Sequence, residues 1–270
     1  VTVIADGDGW DAKEVLEHFD LIIKPDYRAF IDIGAYLRSD TNKNTAIKIA
    51  NYFKTKGSLA IKGVLYFNDE KNLLAWTKVS DPAFHEIINS ADSKTVELVT
   101  GLKENELFTF YDQRHCTGTD IQQIPKAKAL VWISASTVLR DLLQGVFRMR
   151  KFLISQVVHV VLPTKLEALM REKLGVAAGT VLDARHIIKF LELNTEASFK
   201  VEDKQVILQK IVNEVRNFGI EQILAGSVFR QYAPVFVRYL QELIVDSFLE
   251  PEVKKDMGPI LRTYCAELLE

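Results

Sequence analysis

Short apolar runs alternate with helix-like segments through the first 163 residues, and this alternation most constrains the fold of the chain. Strand-like runs occupy residues 1–5, 28–33, 59–67, 73–79, 106–111, 129–134 and 156–162. Apolar residues at helical spacing lie between several of them, at 11–19, 45–56 and 137–152. Strands that are apolar at nearly every position are buried on both faces, which is typical of parallel sheets. The sequence therefore predicts an α/β domain over residues 1–163, with a parallel sheet flanked by helices.

The pattern changes near residue 164, after which only helical spacing is found. Thr164 and Glu167 stand at the spacing of a capping box, which predicts that a helix begins there. We therefore expect an all-helical C-terminal region over residues 164–270.

Two local features predict turns within the α/β region. The polar stretch 68–72 separates two strand-like runs, which favours a β-hairpin with a longer loop. Gly57 follows the helical pattern of 45–56 and is expected to end that helix.

Composition excludes several classes of protein. The chain is 48% apolar and 26% charged with a net charge of −2, so any basic binding site must be local. Two cysteines cannot form a disulfide scaffold or an all-cysteine metal cage, and they suit a reducing, cytoplasmic setting. No apolar run is long enough to span a membrane, so we expect no membrane partner. The chain begins with valine and without a signal peptide pattern, which favours a part of a longer intracellular protein.

Two polar segments carry the candidate chemistry. The loop Thr117-Gly118-Thr119-Asp120 follows an apolar strand, and a second segment with Gln144, Arg148 and Lys151 lies on the helix predicted after the next strand. At about 100° per residue, these three helical residues share one face and Arg150 lies about 120° away from it. Ligands of parallel sheets bind beyond the carboxyl ends of the strands. A stripe with cations and an amide can bind phosphates.

These two segments resemble the last two motifs of superfamily-2 helicases and translocases. The second RecA-like lobe of that family carries a Thr/Arg-Gly-x-Asp loop and a helix reading Gln-x-x-Gly-Arg-x-x-Arg. Thr117–Asp120 matches the loop, and Gln144 and Arg148 match the helix at a spacing of four. Phe147 replaces the glycine of the family, and Lys151 stands where the family has its arginine finger. A lysine cannot form the two-pronged contact of an arginine.

A further resemblance covers most of the chain. The strings at 28–35, 63–67, 108–113 and 144–150 are similar, in the same order, to an uncharacterised region of very large fungal, plant and protist proteins. Those proteins carry an upstream P-loop-like lobe, and some members are labelled ubiquitin hydrolases. This resemblance implies a helicase-like, RecA-like lobe.

The resemblances imply site residues, cofactors and a partner. Thr117, Gly118, Thr119, Asp120 and Gln144 would contact nucleotide. Arg148, with Arg150 or Lys151 in the finger role, would act on its phosphates. ATP and Mg²⁺ would be bound only in the complete protein, together with an upstream RecA-like lobe. The 270 residues contain neither a phosphate-binding P-loop motif nor an Asp-Glu box, so we expect no NTPase activity from this chain alone.

Two alternatives of other classes stay open at the level of sequence. The chain could be a degenerate lobe that serves as an interaction scaffold, with a protein partner on its helical tail. It could also be a ubiquitin-directed cysteine peptidase that uses Cys116, although the adjacent His115 would point away from the thiol and a triad would need another histidine. The sequence predicts no metal site, since no histidine pair has ligand spacing. It leaves nucleic-acid binding open.

Overall fold

The computed structural model describes residues 2–4, 27–38, 40–58, 60–116, 121–152 and 154–224. Eight strands lie in these residues: β1 Thr2–Ile4, β2 Tyr27–Asp32, β3 Gly63–Phe67, β4 Leu74–Lys78, β5 Glu86–Ile88, β6 Leu107–Tyr111, β7 Lys128–Trp132 and β8 Val157–Pro163. Five α-helices accompany them: α1 Asn42–Thr55, α2 Ser93–Thr100, α3 Leu139–Val146, α4 Thr164–Leu174 and α5 Ala184–Leu224.

The strands form one sheet in the order β1-β8-β7-β2-β6-β3-β4-β5. The pairs from β1 to β3 along this order are all parallel, while β4 and β5 are each paired antiparallel to their predecessor. The predicted hairpin is confirmed as β3 and β4, with Phe67 paired to Leu74. The predicted α/β architecture with a mostly parallel sheet and flanking helices is therefore confirmed.

The two faces of the sheet are covered by different helices. Helix α1 packs Ile49 and Phe53 onto the face that carries Phe30 and Trp132. The opposite face, which carries Ile31, is covered by α3, α4 and the first turns of α5. The helix after β2 lies on one face of the sheet and the helix after β7 lies on the other. The connections therefore diverge between the neighbouring strands β2 and β7, which makes a topological switch point, where open sheets bind ligands.

Helix α1 ends as the sequence predicts. Gly57 adopts a left-handed conformation with φ of 61°, which an L side chain adopts only with strain. Its N–H donates to Lys54 O, and the N–H of Ser58 donates to Phe53 O, so two carbonyls of the last turn are satisfied.

The helix that starts at Thr164 is confirmed, but the predicted capping box is wrong. Pro163 is the N-cap residue, so Thr164 already belongs to the first turn, and no side chain caps the helix. Glu167 instead accepts hydrogen bonds from Arg171 one turn later.

The chain divides into two compact units, Val1–Thr195 and Glu196–Glu270. This division lies later than residue 163, because Met170 in α4 and Phe190 in α5 are fully buried in the same core as the sheet. In the second unit the structure describes the part of α5 from Glu196 to Leu224. The rest of the predicted helical tail, and the helix predicted over residues 11–19, lie outside the described residues.

Among the described residues, the helices are too short or too polar to cross a lipid bilayer.

Candidate functional site

Polar side chains collect where the central parallel strands end. Asp32 is the last residue of β2, Asp112 follows β6, and Asn72 lies in the turn between β3 and β4. A cavity of about 320 Å³ opens between these ends. It is lined by Asp32, Ala35, Leu37, Arg38, Asp40, Asn42, Asp69, Asn72, Phe110, Asp112, Gln113, Arg114 and His115. Sequence reasoning did not select Asp32 or Asn72, although each follows or ends an apolar strand.

Asp32 organises the loop that leaves β2. Its two carboxylate oxygens accept hydrogen bonds from the backbone N–H groups of Tyr36 (3.0 Å) and Leu37 (2.9 Å). Burial raises the pKa of Asp32 to about 6, because desolvation outweighs the stabilising backbone hydrogen bonds and the nearby charge of Asp112 acts in the same direction as burial. Ionising Asp32 in the folded protein therefore costs more free energy than ionising an exposed aspartate.

The same loop is sterically tight. The N–H of Gly34 donates to Trp132 O (2.9 Å), which ties the loop to the end of β7. A Cβ atom on Gly34 would lie 2.6 Å from the ring of Tyr36 and 3.0 Å from the carbonyl carbon of Ile133. Ala35 follows with φ of 55°, a left-handed conformation that is unfavourable for alanine. Backbone strain of this kind persists only where the surrounding structure enforces it.

A chain of hydrogen bonds joins three of the lining residues. His115 Nδ1 lies 2.5 Å from Asp112 Oδ1, and His115 Nε2 lies 2.6 Å from Asn72 Oδ1. The imidazole also stacks on Phe67, with 4.1 Å between the ring centroids. These contacts fix the β3–β4 turn to the end of β6, and they occupy both ring nitrogens of His115.

Cys116 lacks the features of a nucleophilic thiolate. Its side chain is buried and its thiol donates to Asp112 O (3.3 Å). Burial raises the pKa of the thiol, the negative charges of Asp32 and Asp112 raise it further, and Arg148 opposes the shift. A catalytic cysteine needs a lowered pKa and a free base beside it. His115 is engaged elsewhere, so this geometry does not favour a peptidase.

Arg148 is buried next to the turn that ends at Cys116. Only 8% of the residue is exposed. Its backbone N–H donates to Gly145 O in the last turn of α3. Its charge lies close enough to Cys116 to oppose the rise in the pKa of that thiol. Cys116 directly precedes Thr117, the first residue of the predicted nucleotide loop.

The loop itself cannot be placed. Thr117, Gly118, Thr119 and Asp120 lie outside the described residues. Their assignment as nucleotide contacts stays a prediction.

The helical stripe predicted over residues 137–152 differs in the structure. Helix α3 ends at Val146, and residues 147–151 form successive turns. The prediction that Gln144, Arg148 and Lys151 share one helical face is therefore wrong. Gln144, Arg150 and Lys151 are exposed, whereas Arg148 turns inward. Beyond Val146 the chain forms tighter i→i−3 turns, in which the N–H of Arg148 donates to Gly145 O (3.1 Å) and the N–H of Met149 donates to Val146 O (2.9 Å).

Within the described ranges, histidine, cysteine, aspartate and glutamate side chains form no group of three or more that could hold a metal ion.

Comparison with known proteins gives no assignment for this arrangement. No protein-family model, no curated protein and no solved structure matches the chain.

Proposed function

We propose that this chain is the second RecA-like lobe of a helicase-like P-loop NTPase. It completes an ATP site together with a first lobe that supplies the phosphate-binding loop. On this proposal the full ATP·Mg²⁺ site forms only in the complete protein, and the chain alone retains weak phosphate contacts and hydrolyses little nucleotide, because half of the site is missing.

The observation that carries the proposal is the placement of Arg148. A guanidinium is costly to bury unless it is hydrogen-bonded or paired with an anion, and its planar fork suits phosphate oxygens. Arg148 is buried, and its charge acts on Cys116, the residue before the predicted loop. Arg148 is also the residue whose position matches the helicase helix motif most directly. Its proximity to Cys116 supports the idea that it meets the Thr117–Asp120 loop.

The residues of this chain are better suited to bind the phosphates of ATP than to bind its Mg²⁺. Arg148 would bind the phosphates, with Arg150 or Lys151 available from the exposed turns after α3. Asp32 and Asp112 are committed to the N–H groups of their own loop and to His115. Bound ATP·Mg²⁺ would supply the bond to be cleaved, and on this proposal the first lobe supplies the ligands of the Mg²⁺.

Titration with a fluorescent ATP analogue in the presence of Mg²⁺ tests the proposal. We expect Arg148→Gln to lower the affinity at least about tenfold and Arg148→Lys to restore part of it, because the charge returns without the two-pronged contact. Arg140→Gln is the matched control, since the Arg140 side chain is 74% exposed on α3. Unfolding midpoints of all variants show whether each is folded.

Two results would contradict the proposal. One is the absence of saturable nucleotide binding by the folded wild-type chain. The other is binding that Arg148→Gln and Arg140→Gln change equally.

A scaffold role is the second candidate, and the exposed apolar residues of α3 favour it. Leu143 and Phe147 are 45% and 56% exposed on the outer side of the segment that leads to Arg148. A lobe kept only as a scaffold would bind its partner through such residues and would show no response to Arg148→Gln in the nucleotide titration.

A further inference from the structure

A second concave surface lies at the amino edge of β3, at the opposite end of this strand from the cavity. This groove has a volume of about 470 Å³. Described residues that line it are Phe53, Lys54, Gly57, Ser58, Ile61, Lys62, Trp76, Lys78, Val79, Ser80, Thr100 and Leu102. It lies among the end of α1, the base of the β3–β4 hairpin and the end of α2.

The floor of the groove is apolar. Phe53, Ile61, Trp76 and Val79 are largely buried and present their remaining surface to it. A volume of this size accommodates one or two bulky side chains, since pockets for small ligands begin at about 300 Å³.

The rim of the groove is cationic. It carries Lys54, Lys62 and Lys78, and the described lining residues include neither aspartate nor glutamate. Lys62 pairs with Glu106 (2.5 Å), which lies outside the groove. Lys54 and Lys78 form no ion pair with any carboxylate among the described residues.

Lys78 is held in place without a carboxylate. Its ammonium group lies 4.0 Å from the ring centroid of Phe84 and 5.6 Å from that of Trp76. A cation over aromatic rings is positioned by their negative faces and keeps its charge uncompensated. Lys54 lies in the last turn of α1 and is exposed. The groove therefore presents one positioned positive charge, Lys78, and one exposed positive charge, Lys54, beside an apolar floor.

We propose that this groove binds an acidic peptide segment that carries a bulky apolar side chain. The apolar side chain would enter the groove between Ile61 and Val79, and carboxylates on either side of it would pair with Lys54 and Lys78. Charge complementarity selects this occupant: a neutral apolar segment would leave both ammonium groups partly desolvated and unpaired. The proposal is independent of nucleotide binding, because Arg148 is not among the described residues that line the groove.

Fluorescence anisotropy with a labelled synthetic peptide tests the proposal. The peptide has glutamates on both sides of a central Phe-Leu pair. Two companions replace the glutamates with glutamine, or the Phe-Leu pair with Ala-Ala. We expect saturable binding of the first peptide, weakened by added salt, and at least about tenfold weaker binding of each companion.

Variants locate the site. Lys54→Glu combined with Lys78→Glu should lower the affinity at least about tenfold by replacing attraction with repulsion. Ser80→Trp fills the groove from an exposed position and should block binding without a change in charge. Lys71→Glu is the matched control, since this exposed lysine lies in the turn at the far end of β4. Arg140→Gln, at an exposed position of α3, should leave peptide binding unchanged.

Any one of five outcomes would overturn the proposal. The peptide shows no saturable binding to the folded chain, or its glutamine companion binds equally well. Lys71→Glu weakens binding as much as the groove variants do. A single-stranded oligonucleotide competes for the same lysines and binds more tightly than the peptide. Sedimentation shows a dimer that the groove variants dissociate, in which case a second copy of the chain occupies the groove.

Discussion

The cavity and the groove lie at opposite ends of strand β3 and differ in how their charges are held. The cavity is lined by four aspartates and two arginines, and its most buried carboxylates bond to their own loops. The groove has an apolar floor and three lysines, two of which lack a carboxylate partner in the described part of the chain.

Helix α1 accounts for part of this difference. It begins at the cavity, where the N–H of Asn42 donates to Asp69 Oδ1 (3.2 Å), and it ends at the groove with Lys54 in its last turn. Negative charge is favourable at the start of a helix and positive charge at its end. The βαβ arrangement thus favours carboxylates at one edge of the sheet and ammonium groups at the other. It does not explain Lys78, which lies on a strand.

The largest expected effect is on the free energy of unfolding, and it compares Gly34 beside the cavity with Gly57 beside the groove. Gly34→Val should lower the free energy of unfolding by about 2 to 3 kcal/mol, because the new side chain meets Tyr36 and the backbone of Ile133. Gly57→Ala beside the groove meets nothing within 4 Å and should cost only about 1 kcal/mol, from its left-handed backbone. Urea denaturation measures both. Equal losses in the free energy of unfolding would show that Gly34 is packed no more closely than Gly57.

The second effect is a pH dependence that belongs to the cavity. The pKa of Asp32 is about 6 in the folded protein against 3.8 ordinarily. Between these values the folded state holds a proton that the unfolded chain releases, so the contribution of Asp32 to stability falls as the pH rises through this range. Asp32→Asn cannot titrate. The free energy of unfolding of this variant relative to wild type should rise by about 2 to 3 kcal/mol between about pH 4 and pH 7.

Ser80→Ala is the control for this measurement, since Ser80 is exposed after β4 and neither side chain titrates. Its difference from wild type should stay constant over the same range. A constant difference for Asp32→Asn as well would mean that Asp32 is better solvated than its burial indicates.

The smallest effect belongs to the groove. Lys78→Met keeps the aliphatic contact with Phe84 and removes the charge, so it should lower the free energy of unfolding by only about 0.5 kcal/mol. In a double-mutant cycle with Phe84→Leu, the loss should be absent once the ring is gone. A loss that persists with Phe84→Leu would assign it to another contact of Lys78.

The sequence predicts the parallel strands well, because strands buried on both faces are apolar throughout. The expected runs at 28–33, 106–111, 129–134 and 156–162 each coincide within two residues with an observed strand. It misses β5 and α2. Glu86–Ile88 is a three-residue edge strand with one buried side chain, and α2 buries only Val96 and Thr100. Neither segment therefore shows a clear periodic pattern of apolar residues.

The candidate site is less predictable because its residues meet only through the sheet. Asn72 and His115 are 43 positions apart and become neighbours when β3 and β6 pair in register. The end of α3 was missed because Leu142, Val146 and Met149 keep helical spacing across the point where the helix ends. Where Arg148 points is therefore a tertiary property.

The pairing of β1 with β8 has a consequence for biosynthesis. Thr2 is the register partner of Val161, so β1 has no neighbour in the sheet until β8, the last of the eight described strands, has been made. At about 5 to 20 residues per second, translation of the intervening chain takes on the order of ten seconds or more. Throughout that interval the nascent domain lacks one border of its sheet, and the completed border forms only when synthesis has passed Pro163.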